Sequence, residues 1–228
     1  MKNTYDVDAL CLEVFSKISA TVTHEIKNTI SIINENAGLL NDLAMMAGED
    51  GSIPSRQVDG ATATIAKQVA RSNAIMLNLN RFSHSGDMPV SQANLREILQ
   101  LMVALTSRKA ASRSVTVSIL CPGDITITTC LLPFGALVFY VLDNLYDTNS
   151  GGANVNIEVT VSDNEVQINF TDQEDPGNRC DNYLPGEKEL LLAKVLGGTC
   201  KRSQDAVEIS LSTNKSTNSF ERDDVKIR

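Results

Sequence analysis

The sequence predicts a long antiparallel helical hairpin followed by a two-layer α/β sandwich, an α-then-α+β chain. Three observations carry that prediction. Over most of the first 82 positions apolar residues recur at alternating steps of three and four, the mark of amphipathic helices. The stretch Ser83-His84-Ser85-Gly86-Asp87-Met88-Pro89 then has the composition of a linker. Beyond it the period changes, and short β-branched runs alternate with helical ones.

The first helix is expected from near Tyr5 to about Ala47, roughly 60 Å at 1.5 Å per residue. Its apolar row is Phe15, Ile18, Val22, Thr29, Ile32, Leu39 and Leu43, with polar breaks at Glu25 and Asn36. A second row, Ile26, Ile30, Ile33, Ala37 and Leu40, widens the face to that of a bundle helix. Gly48, Gly51 and Pro54 end the helix, and Ser55 is a fitting cap for the next. That second helix repeats Val58, Thr62, Ile65, Val69, Ser72, Met76 and Leu79 and ends near Phe82. One such hairpin cannot bury so broad an apolar face. A homodimer through residues 5–82, forming a four-helix bundle, is the expected solution.

After the linker, residues 94–111 are expected as a helix, 115–120 and 125–129 as strands around a Cys121-Pro122-Gly123-Asp124 turn, and 132–147 as a helix. Residues 153–161 and 166–170 form a hairpin across Ser162-Asp163-Asn164-Glu165. A helix over 187–196 stops at Gly197-Gly198, and 206–212 is the closing strand. From Thr213 the polar tail is expected to be disordered. The domains are therefore 1–84 (hairpin), 85–213 (α/β) and 214–228 (tail).

A net charge of −8 and a pI near 4.8 exclude a nucleic-acid groove or an anionic membrane surface. With Trp absent and few aromatics, base-stacking platforms are excluded too. Cys11, Cys121, Cys130, Cys180 and Cys200 are scattered, with no Cys-x-x-Cys pair, which fits reduced thiols in a cytoplasmic protein. No run reaches the length of a membrane span, and the N-terminus lacks the basic-then-apolar pattern of a signal, so neither is expected.

The chemistry concentrates in Thr21-Val22-Thr23-His24-Glu25-Ile26-Lys27-Asn28-Thr29-Ile30. Positions 24 and 28 fall one helical turn apart on one face, and His24, Lys27, Ser31 and Asn34 fall on the water side. His84, the other histidine, lies in the linker as a solvated loop residue. His-Glu-Ile-Lys-Asn on a long helix, followed by a second long helix, resembles the phosphoacceptor box of two-component histidine kinases. The family's box continues Pro-Leu, where this chain has Thr29-Ile30, so a straighter helix is expected. The order of the later elements is similar to the family's ATP-binding domain, and the resemblance covers residues 5–212. It implies that His24 accepts a phosphoryl group, Glu25 orients its ring, and Asn28 positions a water for receiver dephosphorylation.

The nucleotide motifs that the resemblance calls for are degraded. The family's Asn-Leu-x-x-Asn reads Asn144-Leu145-Tyr146-Asp147-Thr148, with the second amide lost or shifted to Asn149. Its Asp-x-Gly-x-Gly becomes Asp172-Gln173-Glu174-Asp175-Pro176-Gly177, without either glycine in place. Its glycine-rich phosphate cradle becomes Pro185-Gly186-Glu187-Lys188-Glu189-Leu190, with two carboxylates where a triphosphate would sit. ATP binding is not expected, and no cofactor or metal is assigned to the chain.

A neutral imidazole nitrogen can attack an aspartyl phosphate, which already carries the leaving-group energy. The receiver brings its own Mg²⁺. The resemblance therefore implies a phosphorelay histidine phosphotransferase whose partner is a response-regulator receiver domain. Two alternatives stay open: an active histidine kinase with divergent nucleotide motifs, and a regulatory pseudokinase that binds a receiver or kinase without passing phosphate.

Overall fold

The structure is a computed structural model and describes residues 6–47, 51–148, 153–162, 165–172, 183–203 and 206–212. Two helices, α1 (Val7–Ala47) and α2 (Ser55–Ser83), are followed by a short 3₁₀ turn at His84–Gly86. Then come β1 (Ser91–Asn94), α3 (Leu95–Ser112), β2 (Thr116–Leu120), β3 (Thr126–Thr129) and α4 (Leu131–Thr148). The chain continues with β4 (Asn154–Ser162), β5 (Glu165–Asp172), α5 (Glu187–Val195), β6 (Thr199–Ser203) and β7 (Ala206–Ser212). A long helical hairpin followed by a two-layer α/β sandwich is thus the architecture. The segments 48–50, 163–164 and 213–228, expected as helix break, turn tip and tail, lie outside the described residues.

Two compact units divide the chain: residues 15–84, and residues 1–14 together with 85–228. In the helical unit α1 and α2 share a seam in which Ile18, Val22, Ala61 and Phe82 are buried. Phe15 and Phe82 stack with centroids 6.4 Å apart and close it at one end. The side of α2 facing α1 differs from the expected row. Ala61 and Gln68 are buried, while Thr62 and Val69 beside them are exposed, as is Met76. Two apolar rows one residue apart run along α2, and Gln68 in the inner one disguised it as polar. The other row, with Val69 45% and Met76 52% exposed, joins Leu77 and, on α1, Ile30 and Leu39 as uncovered apolar surface.

The α/β unit is built around α4, whose residues Phe134 to Leu142 are all buried. A helix apolar on every side belongs in the middle of a layer, and α3 and α5 flank it. The helices cover a five-stranded sheet of order β2-β4-β5-β7-β6, parallel only between β2 and β4. Its register lines up Ile157, Phe170 and Val207 across three strands, and Val159, Ile168 and Ile209 beside them. All six are buried. Deleting any one leaves a cavity costing about 2–5 kcal/mol.

Two strands went unread in the sequence. β1 pairs antiparallel with β3 in a separate two-stranded sheet, so residues 126–129 do not join the main one. Ser-Gln-Ala-Asn carries no apolar alternation to announce a strand. Its last residue, Asn94, also caps α3, its side chain accepting from Glu97 N at 3.3 Å. Similarly β6, with Lys201 and Arg202, pairs with β7 and takes over the edge. Residues 206–212 therefore form an inner strand rather than a closing one. Gly197 at φ +71° ends α5 and turns the chain into β6.

The first two turns of α1 belong to this unit. Leu10, Cys11 and Val14 are buried, and Tyr140 Oη donates to Leu10 O at 3.5 Å.

Candidate functional site

Within the helical unit, the spacing of four places His24 and Asn28 on one face of α1. Both are exposed, and Asn28 Nδ2 lies 3.3 Å from His24 Nδ1. Lys27, Ser31 and Asn34 are exposed as well. The nearby hydroxyls of Thr23 and Ser31 donate back to the carbonyls of Ser19 (2.8 Å) and Lys27 (3.1 Å). Glu25 lies a further 100° or so round the helix and faces α2. Its Oε2 is 3.7 Å from Arg71 Nη2, with the Glu25 side chain 12% exposed and that of Arg71 57%. With the Arg71 side chain mostly in solvent, a pair this long adds little to stability but still orients Glu25 toward α2. Of the three expected site residues, His24 and Asn28 are brought together, and Glu25 is directed at Arg71.

Directly after Asn28, Thr29 is 1% exposed in the seam. Its Oγ1 donates to Ile26 O at 2.8 Å and meets Ser72 Oγ of α2 at 2.6 Å. Two hydroxyls in an apolar seam are tolerated because each satisfies the other. Arg71 and Ser72 are the residues that sequence reasoning missed here. The signal was a hydroxyl interrupting each apolar row, Thr29 in one and Ser72 in the other.

A second set of residues lies where the α/β unit joins the end of α4 to the start of α5. Asn144 Nδ2 donates to Glu189 Oε1 at 2.5 Å, and Tyr183 Oη donates to the same oxygen at 3.0 Å. Glu189 is 3% exposed. Burial, and next the Glu189 charge, push the Tyr183 hydroxyl well above its usual value. The same two causes push the Cys200 thiol up to about 12. Beside them Lys188 Nζ bonds both carboxylate oxygens of Glu13 (2.9 and 2.8 Å) and lies 4.9 Å over the Tyr140 ring.

Asn144, Tyr183, Lys188 and Glu189 border an open groove lined also by Asp147, Thr148, Gly186 and Glu187. Asp147 is gripped by Lys109 (2.8 Å) and Arg113 (2.9 Å). Of the two carboxylates expected where a triphosphate would sit, Glu187 is exposed and Glu189 is turned inward onto Asn144. Asp172 ends β5, while Asn149 and residues 173–182, which hold Asp175 and Gly177, lie outside the described residues. Among the described residues no group of three or more His, Cys, Asp or Glu is gathered to hold a metal ion. None of the described helices is long and apolar enough to cross a membrane.

No protein-family model matches the chain, and no curated protein matches it. Solved structures do. Histidine kinase AdeS of Acinetobacter baumannii is similar with a TM-score of 0.47 and 12% identity, over 84% of this chain and 98% of that one. A histidine kinase of Burkholderia phymatum gives 0.46 and 12%, over 85% and 98%. Histidine kinase ThkA, in complex with response regulator protein TrrA, gives 0.43 and 12%, over 89% of this chain and 63% of that one. At such identities the chemistry rests on the chain's own side chains.

Proposed function

We propose that the chain is a two-component histidine phosphotransferase that works without ATP. It passes a phosphoryl group between His24 and the aspartate of a response-regulator receiver domain. The observation that carries this reading is the Asn144–Glu189 bond. Asn144, the first amide of the family's Asn-Leu-x-x-Asn, is taken by a buried carboxylate, and Thr148 stands where the resemblance would put the second, the one assigned to Mg²⁺ and phosphate. A triphosphate in this groove would lie beside the buried Glu189 charge, which among the described residues is held only by the neutral donors Asn144 and Tyr183, and the repulsion would cost several kcal/mol. His24, by contrast, is exposed on a helix, where a docking receiver can reach it.

In the forward step the Nε2 lone pair attacks phosphorus and the receiver's carboxylate leaves with the P–O electron pair. The receiver's Mg²⁺ supplies charge neutralisation, and the hairpin supplies a rigid in-line nucleophile. The chain acts as a homodimer, because the uncovered row of Ile30, Leu39, Val69, Met76 and Leu77 needs a partner of like kind, and two hairpins give a closed four-helix bundle.

The test is incubation with phosphorylated and unphosphorylated receivers from the same genome, and separately with labelled ATP. Acid-labile phosphate is expected on His24 from the receiver alone, and none on His24→Gln. Labelling from ATP would replace this reading with that of an active kinase. No labelling from any receiver would leave the regulatory pseudokinase.

A further inference from the structure

Glu25 is the neighbour that would ordinarily be credited with holding the imidazole, yet its carboxylate is largely buried and paired with Arg71 on the other helix. What stands at His24 Nδ1 is the Asn28 amide, at 3.3 Å. We propose that Arg71 and Asn28 are the positioning residues of His24: Arg71 draws Glu25 off the ring, and Asn28 takes Nδ1 in its place. The assignment rests on the phosphotransferase reading for its purpose, but not for its geometry.

The chemistry follows from the tautomers. Attack through Nε2 requires the lone pair there, hence the proton on Nδ1. The two ends of an asparagine amide have nearly the same shape, and a half-turn exchanges Nδ2 for Oδ1 at the same place. With Oδ1 toward the ring, Asn28 accepts from Nδ1–H and fixes the lone pair on Nε2. As the N–P bond forms and the P–O bond to the receiver breaks, the ring takes on positive charge. Nδ1–H becomes a stronger donor and its bond to Oδ1 tightens. The proton stays on Nδ1 throughout, so a neutral amide suffices where a carboxylate base is not needed. Asn28 thereby acts on the transfer step itself, as well as on any water it orders.

The chain has only two histidines, so nitrogen NMR of the ¹⁵N-labelled full-length protein reads the His24 tautomer directly, with His84→Gln to assign the signals. The wild type is expected to hold more of the Nδ1–H form than Asn28→Ala, and Asn28→Asp, which keeps the acceptor, is expected to match the wild type. In Arg71→Met/Asn28→Ala the freed Glu25 is expected to restore the bias. Transfer from a phosphorylated receiver should fall roughly three- to tenfold in Asn28→Ala, the worth of one hydrogen bond, and stay within about twofold in Asn28→Asp. Identical tautomer ratios in wild type and Asn28→Ala would overturn the assignment. So would a full transfer rate in Asn28→Ala. If the wild type accepts no phosphoryl group at all, the functional reading falls, while the tautomer measurement still decides this one.

Discussion

Asn144 and Glu189, 45 residues apart in sequence, meet at 2.5 Å inside the α/β unit, with Tyr183 completing the contact. The carboxylate is a structural acceptor for one buried donor, Tyr183, and one half-buried donor, Asn144. Glu189→Ala strands both, and each lost partner costs about 1–3 kcal/mol. Thermal unfolding should therefore drop by several degrees. Glu189→Gln keeps an acceptor at the same place and should lose less. Calorimetry of the wild type with ATP and Mg²⁺ should show no binding in the micromolar range, and a clear isotherm would count against the closed site.

The assembly is tested at Val69, which is 45% exposed in the single chain and so can be changed without opening the hairpin seam. Val69→Glu should leave the helical circular dichroism intact and turn a dimer into a monomer by light scattering. An unpaired charge buried between two copies costs several kcal/mol. A wild-type monomer at micromolar concentration would sink the four-helix bundle.

Across the seam, Thr29 and Ser72 form a pair to which neither hydroxyl contributes alone. Thr29→Val strands the Ser72 hydroxyl, at about 1 kcal/mol, whereas Ser72→Ala leaves Thr29 its bond to Ile26 O and should cost less. The double variant removes both, and its cost should fall short of the sum by about 0.5–1.5 kcal/mol. Urea unfolding of the four proteins measures this, and strict additivity would mean the bond carries no coupling.

Asp147 gives a pH dependence with a definite sign. Burial works against its charge, but the bonds to Lys109 and Arg113 more than offset that and hold its carboxyl below the ordinary range. A carboxyl whose folded value is depressed stabilises the protein above the unfolded value, near 4, and loses that contribution as pH falls through the folded one. Asp147→Asn should lower the urea midpoint slightly at neutral pH, and the gap to wild type should close as pH falls below the ordinary carboxylate range. With the Asp147 side chain 47% exposed, solvent screening keeps the difference small.

Periodicity made the long elements legible. α1 begins and ends within two residues of its expected limits, and the β4–β5 hairpin is where its β-branched runs place it. What stayed hidden was whatever apolar pattern does not encode. β1 and β6 are polar strands held by pairing, and Gln68 lies in the seam although Val69 beside it is the more apolar residue. At the site, the spacing of His24 and Asn28 could be read because a helix converts a step of four into contact. Arg71 could not be read, because the register of α2 against α1 is set by packing and by the Thr29–Ser72 bond. Tyr183 and the inward turn of Glu189 escaped for a related reason: Glu189 is one more acidic residue on a short helix until Asn144 and Tyr183 arrive from elsewhere.

The ion pair between Glu13 and Lys188 joins residues 175 positions apart, and this bears on the order in which the protein can be built. A ribosome delivers the first turns of α1 early, together with their buried Leu10, Cys11 and Val14. The strands and helices that bury them emerge only much later. The helical unit is complete in sequence once His84 is out, whereas the unit containing Leu10, Cys11 and Val14 must wait for residues made well after it. Until then an apolar helix end is exposed on the nascent chain, a natural client for a chaperone and the slowest closure in folding.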